Sequence, residues 1–191
     1  MLQLLKNHLT LSTIKHDIEI LKETTLKNAH IYCVVNNISA QQFGPLLESY
    51  ICLKNMFTKN SASNCNGDLS FNNINIEVKV SLGGSKHNKF NWVQIRLSHD
   101  IQYYMLTAYH LNHGNVENFG DLYTFIVPKK DMRILILKYG GYAHGTIKEH
   151  GKIVFEDMDT QEYALRPTYG DRCWLDMLVY SNTSSPLPSE F

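Results

Sequence analysis

The sequence has no net charge, no closely spaced cysteine pair and no long apolar run. Its 18 Lys and Arg equal its 18 Asp and Glu, so the total charge gives no support for a partner held by bulk electrostatics. No apolar run approaches the roughly 18 residues that cross a bilayer, so we expect no membrane partner. The four cysteines are far apart and form no C-x-x-C pair, which predicts reduced thiols and a cytoplasmic location.

Several motifs of common enzyme classes are also missing. The chain has no Walker loop, G-x-G-x-x-G, G-x-S-x-G or H-E-x-x-H, so a nucleotide cofactor, a serine-hydrolase triad and a zincin site have no support. The first residues, "MLQLLKNHLTLSTIKHDIEILKE", are interrupted by charged side chains. This pattern predicts an amphipathic helix and not a secretory signal.

The length of 191 residues and the 43% hydrophobic content are ordinary for one globular core. We predict a single α/β domain over 1–191, with a mixed sheet flanked by helices. Its expected parts are an N-terminal helical arm at 1–38, a catalytic core at 39–111, further sheet, helices and a recognition loop at 112–180, and a flexible tail at 181–191.

Local patterns predict the order of elements. Ser39 and Gln42 form a capping box that begins a helix running to about Lys59. "DLSF" and "INIEVKV" predict a strand pair that turns at Asn72-Asn73. Further along the chain we expect a helix in "HDIQYYMLTAYHL", a strand in "DLYTFIVP", a helix in "KKDMRILILKYGG", a short strand in "IVF" and a helix in "CWLDMLVY".

One strand carries the most informative polar face. From Ile74, apolar side chains alternate with Asn75, Glu77, Lys79 and Ser81, which predicts a half-buried strand. Glu77-Val78-Lys79 is the only acid-x-Lys triplet in the chain, and Asp68 precedes it across the predicted hairpin. The alternative is an ordinary surface ion pair beside a turn aspartate.

These residue types suit phosphodiester hydrolysis. Mg²⁺ prefers hard oxygen ligands, and Asp68 and Glu77 would supply two carboxylates. Lys79 would orient the attacking water and stabilise negative charge, and its proximity to a metal would lower its pKa. Glu48, on the preceding helix, is a candidate third carboxylate.

The order Glu48, Gly67-Asp68, Glu77-x-Lys79 resembles the PD-(D/E)xK nuclease superfamily, in particular small type II restriction endonucleases. The resemblance covers roughly residues 39–111. It implies that Asp68, Glu77 and Lys79 are the catalytic trio, on a sheet flanked by helices. Gly67 stands where the motif has proline, which lowers the specificity of the match.

Two stretches are candidate DNA contacts. After Gly83-Gly84, a donor-rich segment offers phosphate and base-edge contacts: Ser85, Lys86, His87, Asn88, Lys89, Asn91, Gln94 and Arg96. Tyr142, His144 and Lys148 lie in "YGGYAHGTIK", a second candidate recognition loop. Each stretch has the alternative of being only a surface loop.

Together these features predict a Mg²⁺-dependent endonuclease for double-stranded DNA, of the type II restriction kind. Cleavage of both strands of a palindrome would call for a homodimer, because each active site handles one strand. One alternative is a repair, structure-specific or nicking nuclease of the same fold. Another is a nucleic-acid-binding domain without chemistry, and the least specific is an interaction domain that binds no DNA.

Overall fold

The computed structural model describes residues 48, 52, 56–61, 65–83, 88–110 and 121–181. Five of the strands form a mixed sheet, and their bounds are β1 Thr58–Lys59, β2 Leu69–Phe71, β3 Ile74–Gly83, β5 Tyr103–His110 and β6 Asp121–Pro128. The order across the sheet is β1-β2-β3-β5-β6. Only the β3–β5 pair is parallel, and the other pairs are antiparallel.

The predicted hairpin between β2 and β3 is confirmed. Phe71 pairs with Ile74, so Asn72 and Asn73 form a two-residue turn. Their φ angles are +47° and +62°, the left-handed values that a two-residue hairpin turn of this kind requires. Asparagine tolerates this backbone region better than most residues, which explains the Asn-Asn pair.

A second sheet combines one strand from the connection between β3 and β5 with two strands that follow β6. Its strands are β4 Trp92–Arg96, β7 Gly141–Tyr142 and β8 Glu162–Leu165, in the order β4-β8-β7. The chain therefore passes from β3 through β4 before it returns to pair in parallel with β3. The sequence predicts a donor-rich loop and a helix here, so β4 differs from that prediction.

The helix predicted over "HDIQYYMLTAYHL" is wrong, because residues 103–110 form β5. Every side chain from Tyr103 to Ala108 is buried, so both faces of the strand are covered. The strand also pairs on both edges, with β3 and β6. A strand buried on both faces shows a continuous apolar run, and periodicity alone does not separate it from a helix.

The main core lies between the two sheets. Trp92 of β4 and Phe125 of β6 pack edge to face, with ring centroids 6.0 Å apart. Trp174 stacks on Phe90 at 4.9 Å and is fully buried. Tyr104 and Leu106 of β5 belong to the same cluster, so this face of the five-stranded sheet is the one that the second sheet covers.

The helix predicted after Pro128 is confirmed as α1, Lys129–Tyr139. Proline precedes its first turn, Asp131 lies in that turn, and Lys138 lies in the last turn, where each charge favours the helix dipole. Two shorter helices follow, α2 Ile147–His150 and α3 Arg172–Met177. The last helix was predicted within 173–180, where a 3-10 turn, Leu178–Tyr180, continues α3.

Two other predicted elements differ. "IVF" does not form a strand, and a 3-10 turn occupies Phe155–Asp157. Glu48 and Cys52 are helical, but the predicted helix cannot run to Lys59, because Thr58 and Lys59 pair with β2. The arm at 1–38, the capping box at Ser39 and the tail from 182 onward lie outside the described residues.

The described residues therefore form a mixed α/β fold with two sheets and short helices. Cys52, Cys65 and Cys173 have free thiols. None of the helices in this part of the chain is long and apolar enough to cross a bilayer.

Candidate active site

Asp68, Glu77 and Lys79 meet where β2 begins beside β3. The Asp68 N–H donates to Ile76 O at 3.0 Å, and its Oδ2 accepts from the Val78 N–H at 2.7 Å. Lys79 Nζ lies 2.6 Å from Glu77 Oε1. The hairpin thus brings together the three residues that the sequence predicted as a trio.

Two side chains on the polar face of β3, Glu77 and Ser81, are buried, which the alternation did not predict. Glu77 is 4% exposed and Ser81 3%, while Ile74, Ile76 and Val78 are buried on the opposite face. Glu77 pairs in register with Tyr104, which faces the second sheet. The Ser81 hydroxyl accepts the Asn91 N–H at 2.7 Å, so the second sheet reaches this face directly.

Asp68 has a perturbed acidity. Burial, followed by the negative charge of Glu77, raises the pKa of Asp68 to about 6. The Val78 hydrogen bond and the Lys79 charge oppose this shift, and the Glu48 charge adds a smaller increase. A carboxyl group near a second carboxylate in a partly buried position is a common feature of functional sites.

Glu77 has charged and polar neighbours on both of its oxygens. Its Oε1 bonds to Lys79, and its Oε2 lies 3.6 Å from His99 Nδ1. Tyr104 is also close, since burial and then the Glu77 charge raise its pKa. Its hydroxyl therefore stays neutral and donates to Arg96 O at 2.6 Å.

Glu48 lies near this group but has its own partner. Its Oε1 is 3.0 Å from Lys59 Nζ, and its charge acts on the pKa of Asp68. Glu48 is thus paired with a residue of β1, at the edge of the sheet. In the described structure its charge is balanced by Lys59.

The donor set fits Mg²⁺. Asp68 and Glu77 provide two hard carboxylates, and a cation between them would relieve the repulsion that raises the pKa of Asp68. Among the described residues, no group of three or more His, Cys, Asp or Glu is arranged to hold a metal ion. Waters and substrate oxygens would have to complete the shell, as is usual for Mg²⁺.

Gly67 explains the departure from the proline of the motif. Its φ is +75°, a value that the proline ring cannot adopt. A Cβ at this position would lie 2.7 Å from Ile76 O and 2.9 Å from Ile101 Cγ2. This turn therefore requires glycine, and proline is excluded by the local backbone.

The first predicted DNA-binding stretch is described only in part. Ser85, Lys86 and His87 lie outside the described residues. Lys89, Asn91 and Gln94 are exposed, and Gln94 has a φ of +55° at a bulge in β4. Asn88 bonds through Oδ1 to His110 Nε2 at 3.1 Å, so it also supports the fold.

Arg96 and the second predicted loop are connected through one acid. Glu162 lies 2.6 Å from Arg96 Nε and 3.6 Å from His144 Nε2. Lys148 is exposed on α2. Tyr142 is only 7% exposed and belongs to the core, so its ring supports the loop from inside and is not open to DNA.

Sequence reasoning missed His99. The sequence predicts a helix that begins at His99, but His99 lies in the turn before β5, where its Nδ1 is 3.6 Å from Glu77 Oε2. No local signal marks such a contact, because the turn and β3 meet only through the tertiary fold.

Comparison of the chain with protein-family models, with curated proteins and with solved structures found no match.

Proposed function

We propose that this protein is a Mg²⁺-dependent endonuclease that hydrolyses phosphodiester bonds in double-stranded DNA, with a restriction-endonuclease-like fold. One observation carries the proposal. Asp68, with its raised pKa, lies against the strand that holds the Glu77–Lys79 pair. An acid pair beside a lysine is the set that this chemistry needs.

The chain's own residues have separable parts in the proposed reaction. Asp68 and Glu77 would hold the ion through carboxylate oxygens. When bound, Mg²⁺ supplies positive charge for the phosphate oxygens and lowers the pKa of a water. Lys79 Nζ donates one of its N–H groups to Glu77 Oε1, so two N–H groups remain for the attacking water and a phosphate oxygen.

The type II restriction kind, acting as a homodimer, is the most specific form of this proposal. A two-fold dimer would place one copy of the site on each strand of a palindrome. Exposed Lys89, Asn91 and Gln94 follow β3 in the chain and would contact the duplex beside the site.

The test is incubation of phage DNA with wild type and with Lys79→Ala, in Mg²⁺ and in EDTA. Lys152→Ala, which removes an exposed lysine, is the matched control, and circular dichroism checks that each variant is folded. We expect discrete fragments only in Mg²⁺, from wild type and the control. Intact DNA under all conditions would overturn the proposed endonuclease activity. DNA binding without cleavage would indicate a non-catalytic DNA-binding domain. A Lys79-dependent smear would keep the chemistry and remove the restriction specificity.

A further inference from the structure

His99 is held firmly beside the proposed site. Its carbonyl oxygen accepts from the Ile101 N–H at 3.0 Å and from Lys129 Nζ at 2.6 Å. The next residue, Asp100, donates its N–H to Cys65 O at 2.9 Å. The turn is thus tied both to the start of α1 and to the segment that leads into Asp68.

The ring nitrogen that faces the site lacks a partner. His99 Nδ1 is buried, and no group among the described residues forms a hydrogen bond with it. It faces Glu77 Oε2 at 3.6 Å, which is longer than a hydrogen bond. A buried polar atom without a partner is costly, so a state in which Nδ1 gains one is favoured.

Glu77 would benefit from a further hydrogen-bond donor during the proposed reaction. Its buried carboxylate is balanced by Lys79 on Oε1. If Lys79 Nζ also donates to water and phosphate, it neutralises Glu77 less completely, so a further donor on the Oε2 side would stabilise this buried carboxylate. The nearby donor on the Oε2 side is His99.

We propose that His99 is a positioning residue for Glu77, and this inference rests on the function proposed above. His99, with a proton on Nδ1, would close on Glu77 Oε2 when the Glu77 carboxylate holds the ion. The bond fixes the carboxylate in the orientation that holds the ion, as outer partners of metal ligands commonly do. His99 itself touches neither the ion nor the DNA.

Three variants of the full chain separate this role from simple packing. In His99→Asn the amide nitrogen can occupy the place of Nδ1, in His99→Gln it reaches the region of Nε2, and His99→Leu has no donor. His150→Leu removes an exposed histidine and is the control. Mn²⁺ is the probe, and its binding without DNA is followed by the loss of the free-ion electron paramagnetic resonance signal.

We expect the Mn²⁺ dissociation constant to rise about tenfold in His99→Leu and His99→Gln, and to stay within about threefold of wild type in His99→Asn. In cleavage assays kcat should fall in the same order, with KM for DNA unchanged. If wild type is active and His99→Leu binds Mn²⁺ and cleaves DNA equally well, the inference about His99 is overturned and the proposed function stands. An equal loss in His99→Asn and His99→Leu would also overturn the inference, because that would show a packing role. A wild type that neither binds Mn²⁺ nor cleaves DNA would overturn the proposed function itself.

Discussion

Asp68 accepts a hydrogen bond from the backbone of Val78, the residue between Glu77 and Lys79. This single 2.7 Å contact holds Asp68 beside the two other candidate side chains, because Glu77 and Lys79 are the chain neighbours of Val78 on β3. Asp68 Oδ2 is engaged by the backbone. The carboxylate is therefore fixed at one end, and its environment determines its charge.

That environment predicts a pH dependence of stability. Because the folded pKa of Asp68 is about 6 and its ordinary value is 3.8, the folded state binds more protons than the unfolded state between these values. Unfolding free energy contributed by Asp68 is therefore present at low pH and is lost as pH rises through about 6. In EDTA, we expect wild type to lose about 2 kcal/mol relative to Asp68→Asn between about pH 4 and pH 7.

Urea unfolding of both proteins across this pH range measures the effect. Asparagine can still accept the Val78 N–H, so the comparison isolates the charge. Parallel pH profiles of the two proteins would show that Asp68 titrates normally. Addition of Mg²⁺ should stabilise wild type more at pH 7 than at pH 5, because a metal competes with the proton for the carboxylate.

The buried Glu77–Lys79 pair predicts a non-additive effect on stability. Lys79→Met leaves Glu77 charged and almost inaccessible to water, so we expect a loss of about 3 kcal/mol in the free energy of unfolding. The double variant Glu77→Gln/Lys79→Met should recover much of this loss. The Lys138–Asp176 pair has the same 2.6 Å separation on the surface, so Lys138→Met is the control and should have a much smaller effect. Equal losses in the two single variants would contradict the prediction.

The Gly67 turn predicts two separate costs of a side chain. Gly151 has a similar φ, +82°, but a Cβ there meets nothing within 4 Å. Gly151→Ala should therefore cost only the backbone strain, about 1 kcal/mol. Gly67→Ala adds contacts with Ile76 and Ile101, and we expect a loss of about 3 kcal/mol in urea unfolding. If the two variants are equally stable, a Cβ at position 67 does not clash with Ile76 and Ile101, and the prediction is wrong.

The local parts of the site could be predicted from the sequence. The alternation from Ile74 and the Asn72-Asn73 turn are properties of adjacent residues, and they placed Asp68 beside Glu77 and Lys79 correctly. The burial of Glu77 was not predicted. It arises because β4, which follows β3 in the chain, brings the second sheet over the polar face.

The wrong prediction of a helix in place of β5 also results from tertiary packing. Residues 103–108 are buried on both faces of the sheet, and both edges of the strand pair with neighbouring strands, so their side chains do not alternate between apolar and polar. The contact of His99 with Glu77 depends on the placement of that strand. Because the sequence predicts a helix in place of β5, it does not predict that His99 lies next to Glu77.

Glu162 predicts a change in DNA affinity. It neutralises Arg96 and lies near exposed His144, two of the candidate DNA contacts. Glu162→Gln removes the acid while retaining a side chain of similar size, so Arg96 becomes available to phosphate and the local potential becomes more positive. We expect DNA to bind several-fold more tightly in EDTA, with a steeper salt dependence, by fluorescence anisotropy. Glu156→Gln changes the net charge equally at an exposed position and is the control. Equal affinity gains in both variants would indicate only a change in total charge, whereas a gain confined to Glu162→Gln would place the DNA beside Arg96.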